Sequence, residues 1–319
     1  MDITNNKLPN TAIIAITNRC NSRCSFCNIW KIKSGIDLDT SLIDFLPSSL
    51  KRIDITGGEP FLHEDIVAIV ERLISKNCEK ISINTNGLID LKKFSGLWKM
   101  GDVLGIRFSL DGTEKVHDEL RGVKGNFDKV LAQIEYLKAL GLNDIGISST
   151  FSDDNVEHMR PLYDLSVKMK ISFTCMVVGN SGVYYKKKDN IIKNKGLFRK
   201  NLKAIKIREA TRFSLRSIGK AIYLNGLIEY INNDIKRLRC PAGAYFFFMQ
   251  PDGKIYSCNM RNFYMGDLSK NSFNQIWNSK RAGSLRKAAS YCNKPCWTMC
   301  NAKNIIMNSK IKYFLKLFS

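Results

Sequence analysis

A partial (β/α)6 TIM-like barrel followed by a small cysteine-rich domain is the α/β fold class that this sequence predicts. Three observations predict it. Short runs rich in Ile and Val recur six times between residues 12 and 178. Amphipathic stretches of helical length separate them. Five of the ten cysteines then fall together after residue 239.

The six runs are Ala12–Thr17, Ile53–Thr56, Lys80–Ile83, Val103–Leu110, Asp144–Thr150 and Ile171–Val178. Each is short and apolar enough for a buried strand. Glu64–Lys76 carries Ile66, Val67, Ile69, Val70 and Leu73 at helical spacing. Phe127–Leu140 does the same with Val130, Leu131, Ile134, Leu137 and Leu140, and Gly141 stops it. Strands alternating with helices imply βαβ units, a parallel sheet and a site at the C-terminal ends of the strands. The expected divisions are a barrel over 1–182, a basic helical connector over 183–239, a cysteine-rich domain over 240–302 and a basic amphipathic tail over 303–319. In the third, Tyr245–Gln250 and Lys254–Tyr256 flank Pro251-Asp252-Gly253, a hairpin with turn chemistry. Phe273–Lys280 reads as a short helix. In the tail, Ile311, Phe314, Leu315 and Phe318 share one helical face, the pattern of a docked terminal helix or of an interfacial one.

The net charge is +21, from 50 Lys and Arg against 29 Asp and Glu. Charge of this sign favours a polyanionic partner: a phosphorylated substrate, nucleic acid, an acidic protein or an anionic membrane surface. Thirteen of the basic residues lie between Lys186 and Lys220, opposed only by Asp189 and Glu209. That stretch is either a solvated helix face or an electropositive wall beside the substrate entrance. No run of 18 apolar residues and no signal-peptide pattern occurs, so a cytoplasmic location is expected, with peripheral contact at the inner membrane face as the variant. Clustered cysteines there argue for metal rather than disulfides.

Cys20, Cys24 and Cys27 follow the first strand directly. Three thiolates at this spacing hold three irons of a cubane and leave the fourth open to a chelating cofactor. A structural zinc site wants four closed ligands, and His63 is the nearest further candidate in sequence. Gly57-Gly58-Glu59-Pro60 follows the second strand, Asn84-Thr85-Asn86-Gly87 ends the third and Ser109-Leu110-Asp111-Gly112 ends the fourth. His117-Asp118 and Arg121-Gly122 come next. Over residues 12–178 these motifs resemble the radical S-adenosylmethionine superfamily. The resemblance implies a 4Fe–4S cluster on Cys20, Cys24 and Cys27 that binds S-adenosylmethionine. It implies cofactor contacts from Phe26 (against the adenine), from Gly57, Gly58, Glu59 and Pro60 (the segment receiving the methionine amino group), and from Asn86, Ser109 and Arg121. A guanidinium can clamp a carboxylate bidentately, which gives Arg121 its physical sense.

The C-terminal cysteines are Cys240, Cys258, Cys292, Cys296 and Cys300, with Gly253 five residues before Cys258. They resemble the SPASM/twitch extension of that superfamily, but the full pattern has more cysteines than these. Five can complete one 4Fe–4S cluster and not two. One auxiliary cluster is therefore expected, on Cys240, Cys258, Cys300 and either Cys292 or Cys296; a fifth thiol close by would be a substitute or catalytic one. Cys78 and Cys175 read as packing residues.

The implied reaction is reductive cleavage of S-adenosylmethionine to a 5′-deoxyadenosyl radical that takes hydrogen from a substrate. An auxiliary cluster can then accept the substrate's electron, and an external donor such as flavodoxin or ferredoxin supplies the first one. An anionic small molecule, whether sugar, nucleotide-linked or lipid-linked, is the expected substrate. A peptide maturase is the alternative, although strand one begins too early for the separate peptide-recognition domain of many maturases. A zinc-bearing nucleic-acid-binding protein is the reading from another class, and it leaves the GGEP, SLDG and Arg121 segments without a purpose. No general base is assigned: Asp111, His117, Asp118 and Glu119 are titratable but nothing singles one out.

Overall fold

A computed structural model describes residues 8–212, 214–232, 240–292 and 296–308. The six expected strands are β1 (Thr11–Thr17), β2 (Arg52–Gly57), β3 (Lys80–Thr85), β4 (Leu104–Ser109), β5 (Ile145–Phe151) and β6 (Ser172–Val177). They pair in parallel, each with its neighbour in sequence. The helices between them are α1 (Ile66–Ser75), the single turn α2 (Ser95–Trp98), α3 (Glu114–Arg121), α4 (Asn126–Ala139) and α5 (Met159–Lys168). The sheet stays open, with β6 on one edge, so the barrel is partial.

Alternation along the strands sorts the two faces of the sheet. Ile53, Ile55, Ile81, Ile83, Ile106 and Ile147 pack outward under the helices, with Val70 and Leu73 of α1 and Ile134 and Leu137 of α4. The opposite face is polar. Asp54, Ser82, Asn84, Arg107, Ser148 and Thr174 alternate with those apolar residues and line a cavity inside the curve of the sheet.

Two long helices follow, α6 (Lys195–Ala210) and α7 (Leu215–Asn232). Then β7 (Phe246–Met249), β8 (Lys254–Tyr256) and β9 (Tyr264–Asp267) join the same sheet. The expected hairpin is the antiparallel pair β7–β8. Sequence reasoning did not place it beside strand one, yet β7 pairs in parallel with β1, Thr11 opposite Phe246 and Ile14 opposite Met249. The reason is apolar: all four β7 residues are buried, so the strand must be covered on both faces. The single helix expected over 273–280 is two, α8 (Phe273–Trp277) and α9 (Lys280–Ser290), because the Ser279 side chain caps a new start by accepting from Ala282 N. Met299–Asn308 forms α10. The apolar tail face at Ile311, Phe314, Leu315 and Phe318 lies outside the described residues. Among the described residues, no helix is long and apolar enough to cross a membrane.

Candidate functional site

The loop after β1 carries Cys20, Cys24 and Cys27 over the C-terminal ends of the strands. It is tied down by its own backbone: Arg23 N donates to Arg121 O at 2.8 Å and Ser25 N to Leu120 O at 3.0 Å. The end of α3 is thereby fixed to the loop, and the Arg121 side chain turns back onto it. Arg121 Nη1 lies 3.5 Å from Cys24 Sγ, and its guanidinium stacks over the Phe26 ring at 5.5 Å. Its Nη2 stands 2.5 Å from Asp111 Oδ2.

Gly57 and Gly58 let the loop pass across β2. A Cβ on Gly58 would stand 2.0 Å from Arg19 O and 3.0 Å from Cys20 Cβ, and Gly57 has φ 144°. Only glycine fits there. Glu59 turns the other way. Its Oε1 accepts from Thr85 Oγ1 at 2.8 Å and Phe61 N at 3.2 Å, and its Oε2 from Asn86 N at 2.7 Å. Burial pushes this carboxyl up to about 7 against those three donors.

One cavity of about 460 Å³ gathers most of the residues singled out by sequence. Cys20, Cys24, Phe26 and Cys27 line it, as do Gly57, Gly58, Asn86, Ser109 and Arg121. Glu59 and Pro60 do not, and Glu59 instead clamps the end of β2 to the end of β3. Of the C-terminal cysteines only Cys300 reaches the cavity, from the first turn of α10. Cys78 and Cys175 are packed in the core, as read.

The cysteine loop has the character of a cluster cradle. Burial pushes the Cys20 thiol up to about 12 and that of Cys27 to about 11, so thiolates there call for strongly cationic partners. Ser22 Oγ and Arg121 Nε are buried without a hydrogen-bond partner beside the cysteines. Among the described residues, no three His, Cys, Asp or Glu side chains converge tightly enough for a single metal ion. Nor does His63 face the cysteines: its Nε2 meets Leu38 O at 2.9 Å and its Nδ1 accepts from Asp65 N at 3.1 Å. The residues fit an open-sided iron–sulfur cluster with a chelating ligand better than a closed small ion.

Sequence reasoning missed the rest of the wall. Residues 179–190 form a strap across the cavity, pinned on three sides. Asn28 N donates to Tyr185 O at 2.8 Å, Ser181 Oγ to Asn259 O at 2.7 Å and Gln250 Nε2 to Val183 O at 3.1 Å. The strap presents Tyr184 and Tyr185, and the Tyr184 hydroxyl lies 2.6 Å from Thr56 Oγ1. Arg52, Asp54 and Lys303 also line the cavity. The period-two alternation Arg52-Ile53-Asp54-Ile55-Thr56 was the available signal. None of the thirteen basic residues of 186–220 lines the cavity. Helix α6 buries Phe198, Leu202 and Ile205 and turns Arg199, Lys200 and Lys203 to solvent, so this part of the stretch is a solvated helix face.

Comparison with known proteins fits this geometry. Residues 14–165 match the sequence model of the Radical SAM superfamily, and residues 240–301 match SPASM, an iron-sulfur cluster-binding domain. A GTP 3′,8-cyclase of Limosilactobacillus fermentum is 31% identical over 185 residues, 53% of this chain and 54% of that protein. The chain thus spans about half the length of such relatives. An AdoMet-dependent heme synthase of Nitratidesulfovibrio vulgaris is 23% identical over 90% of this chain and 85% of its own. Among solved structures, Streptococcus suis SuiB bound to S-adenosylmethionine superposes with a TM-score of 0.68 over 95% of this chain and 75% of that one, at 18% identity, a likeness of fold.

Proposed function

Because the chain belongs to the radical SAM superfamily and carries a C-terminal SPASM iron–sulfur domain, we propose that it abstracts hydrogen from a small anionic substrate held in the cavity between its two cysteine groups. The observation that carries this reading is the shared wall: Cys20, Cys24 and Cys27 line the same cavity as Cys300. When bound, the 4Fe–4S cluster and S-adenosylmethionine supply a one-electron cleavage that yields the 5′-deoxyadenosyl radical.

The chain's own residues do the positioning. Cys20, Cys24 and Cys27 would hold three of the cluster's irons. Gly57 and Gly58 let the cysteine loop lie close against the end of β2, while Asn86, held by Asn21 Oδ1 at 2.7 Å, and Ser109 would present polar atoms to the cofactor. Arg121 lines the same cavity, and its buried Nε has no hydrogen-bond partner among the described residues. Asp111 neutralises the guanidinium and keeps it in place. Tyr184, Tyr185 and Ile13 close the interior against water.

Support for an anionic substrate comes from inside the cavity and not from the basic stretch. Arg52 and Lys303 line it, and Arg52 is near enough to Asp54 in the same cavity to pull that carboxyl down. The exposed basic face of α6 suits an acidic one-electron donor of the flavodoxin or ferredoxin class.

The test is iron and sulfide content, EPR and 5′-deoxyadenosine release on anaerobically reconstituted protein, beside Cys20→Ala/Cys24→Ala/Cys27→Ala. About eight irons falling to about four in the variant, with release abolished, supports the reading. Zinc without iron in both sinks it. Nucleotides that stimulate release, and lose that effect in Arg52→Ala, support the anionic substrate; stimulation by peptides alone moves the assignment to a maturase.

A further inference from the structure

The strands around the cavity turn an unusual wall toward it. Of the residues of β1–β6 that line it, only Ile13 and Met176 carry apolar side chains. Barrel interiors are ordinarily filled by Val, Ile and Leu, and small-molecule sites are ordinarily apolar with a few polar groups. This wall reverses the proportion. Polar groups enclosed away from bulk water are costly unless something hydrogen-bonds to them.

The protein satisfies part of the wall itself. Asp144 takes Arg107 Nη2 on Oδ1 at 2.6 Å and Lys80 Nζ on Oδ2 at 2.8 Å. The Tyr184 hydroxyl and Thr56 Oγ1 bond to each other. Asn84 Nδ2 donates to Ile55 O at 3.3 Å. The remainder lies together by register. Asp54 stands opposite Ser82, and Ser148 opposite Thr174. These four side chains reach the cavity and make no hydrogen bond among the described residues. Asp54 is thus a carboxyl group without a donor in a wall of hydroxyls. Arg52 precedes it by two residues on β2 and lines the same cavity.

That set matches one ligand chemistry. A carboxylate accepts from hydroxyls, serine and threonine both give and accept, and a guanidinium holds a phosphate or a carboxylate. An apolar side chain or an acyl chain would leave all of them unpaired, and a site built to hydrogen-bond its ligand rejects analogues that lack the partner groups. Gly57, where the cysteine loop crosses β2, lies three residues beyond Asp54, ~10 Å along the strand at ~3.3 Å per residue. One sugar ring with its hydroxyls fits in that span.

Resting on the reading of a small anionic substrate given above, we propose that the cavity takes an acidic sugar, either a sugar phosphate or a sugar acid. Asp54 accepts from ring hydroxyls. Ser82, Ser148 and Thr174 exchange hydrogen bonds with the others, and Arg52 holds the anionic group at the N-terminal end of β2. The carbon that loses hydrogen then lies at the opposite end of the substrate, toward Cys20, Cys24 and Cys27.

The experiment uses the full chain reconstituted anaerobically with iron, sulfide and S-adenosylmethionine. Calorimetric titration is run with glucose 6-phosphate, ribose 5-phosphate and glucuronate, beside glucose, inorganic phosphate and a tetrapeptide of apolar residues. At least one acidic sugar should bind about tenfold or more tighter than glucose or phosphate alone. The two phosphates against glucuronate tell which anion Arg52 holds. Asp54→Ala should weaken the bound sugar about tenfold or more, and Arg52→Ala should bring it down to the level of glucose. Asp54→Asn keeps the shape of the side chain, so it decides the matter if the alanine variant does not load iron. Binding of no acidic sugar by iron-loaded protein overturns the proposal. So does an affinity unchanged in every loaded Asp54 variant, or a tetrapeptide that binds where the sugars do not. A wild type that takes up no iron overturns the radical reading, and this proposal with it, in the metal analysis and before any sugar is added.

Discussion

Arg121 and Asp111 are buried against each other, Nη2 to Oδ2 at 2.5 Å, with side chains 9% and 0% exposed. The contact is a charge pair more than an aligned hydrogen bond, because Asp111 Oδ2 has no hydrogen-bond partner while Oδ1 accepts from Thr150 N at 2.7 Å. Burial raises the Asp111 carboxyl and the guanidinium pulls it back down. The family resemblance implies that Arg121 contacts the cofactor, with a carboxylate clamp as its physical sense; in the structure the protein's own carboxylate already takes part of the fork.

Arg121→Ala should cost about 3–5 kcal/mol, since it strands a buried carboxylate. Asp111→Asn/Arg121→Gln should recover much of that loss while still binding S-adenosylmethionine weakly. Urea unfolding of the metal-free variants checks the first statement, and calorimetric titration of the reconstituted ones checks the second. Equal stability of the single and double variants would show that the stranded Asp111 carboxylate is not the source of the loss.

Glu59 supplies a pH prediction. Its carboxyl is raised to about 7 from an ordinary 4.5, chiefly by burial. A raised acid favours the folded state where it is protonated. Its contribution is therefore complete below about pH 4.5 and is lost as pH rises through about 7. Glu59→Gln removes that slope. The wild-type Tm relative to the variant should fall between pH 5 and pH 8 in the metal-free protein, measured at constant ionic strength. A constant difference would mean that the three donors around Glu59 outweigh its burial.

The barrel was legible because its strands are short, apolar and separated by amphipathic helices of ordinary length. The cysteine loop was legible because Cys20, Cys24 and Cys27 are local in sequence. Less legible were contacts that tertiary structure alone creates. Nothing local in Phe246–Met249 says that it extends the sheet at β1. Tyr184 and Tyr185 gain their place from a strap whose anchors, Asn28, Gln250 and Asn259, lie far away in the chain. The charge of residues 186–220 left two readings open, because composition counts charge without saying which way a helix face points. Asp54 was hidden in a strand read as uniformly buried, although Ile53 and Ile55 on either side mark it as facing the lumen.

Gly58→Ala should leave the fold intact and empty the first cysteine group. The added methyl would meet Arg19 O at 2.0 Å and push on Cys20, and both atoms belong to the loop rather than to the core. Iron should fall by about four while the auxiliary EPR signal persists. Full iron in this variant would show that the loop can shift without losing its ligands.

Trp297 and Gly226 carry the converse case. The indole lies flat on α7, so that a Cβ on Gly226 would meet Trp297 Cε2 at 2.1 Å, and its Nε1 donates to Tyr223 O at 2.8 Å. Trp297 follows Cys296 directly, so this contact fixes where that thiol stands. Gly226→Ala must displace the ring, at about 1–3 kcal/mol for overpacking. Cys296 moves with it, and the auxiliary group should lose about four irons while the first group keeps its own. Gly219 offers a control in the same helix, since a Cβ there meets nothing within 4 Å. Gly219→Ala should keep all its iron and gain up to about 1 kcal/mol from helix propensity. If both alanines lose auxiliary iron, the damage comes from α7 as a whole. If neither does, Trp297 does not hold Cys296 in place.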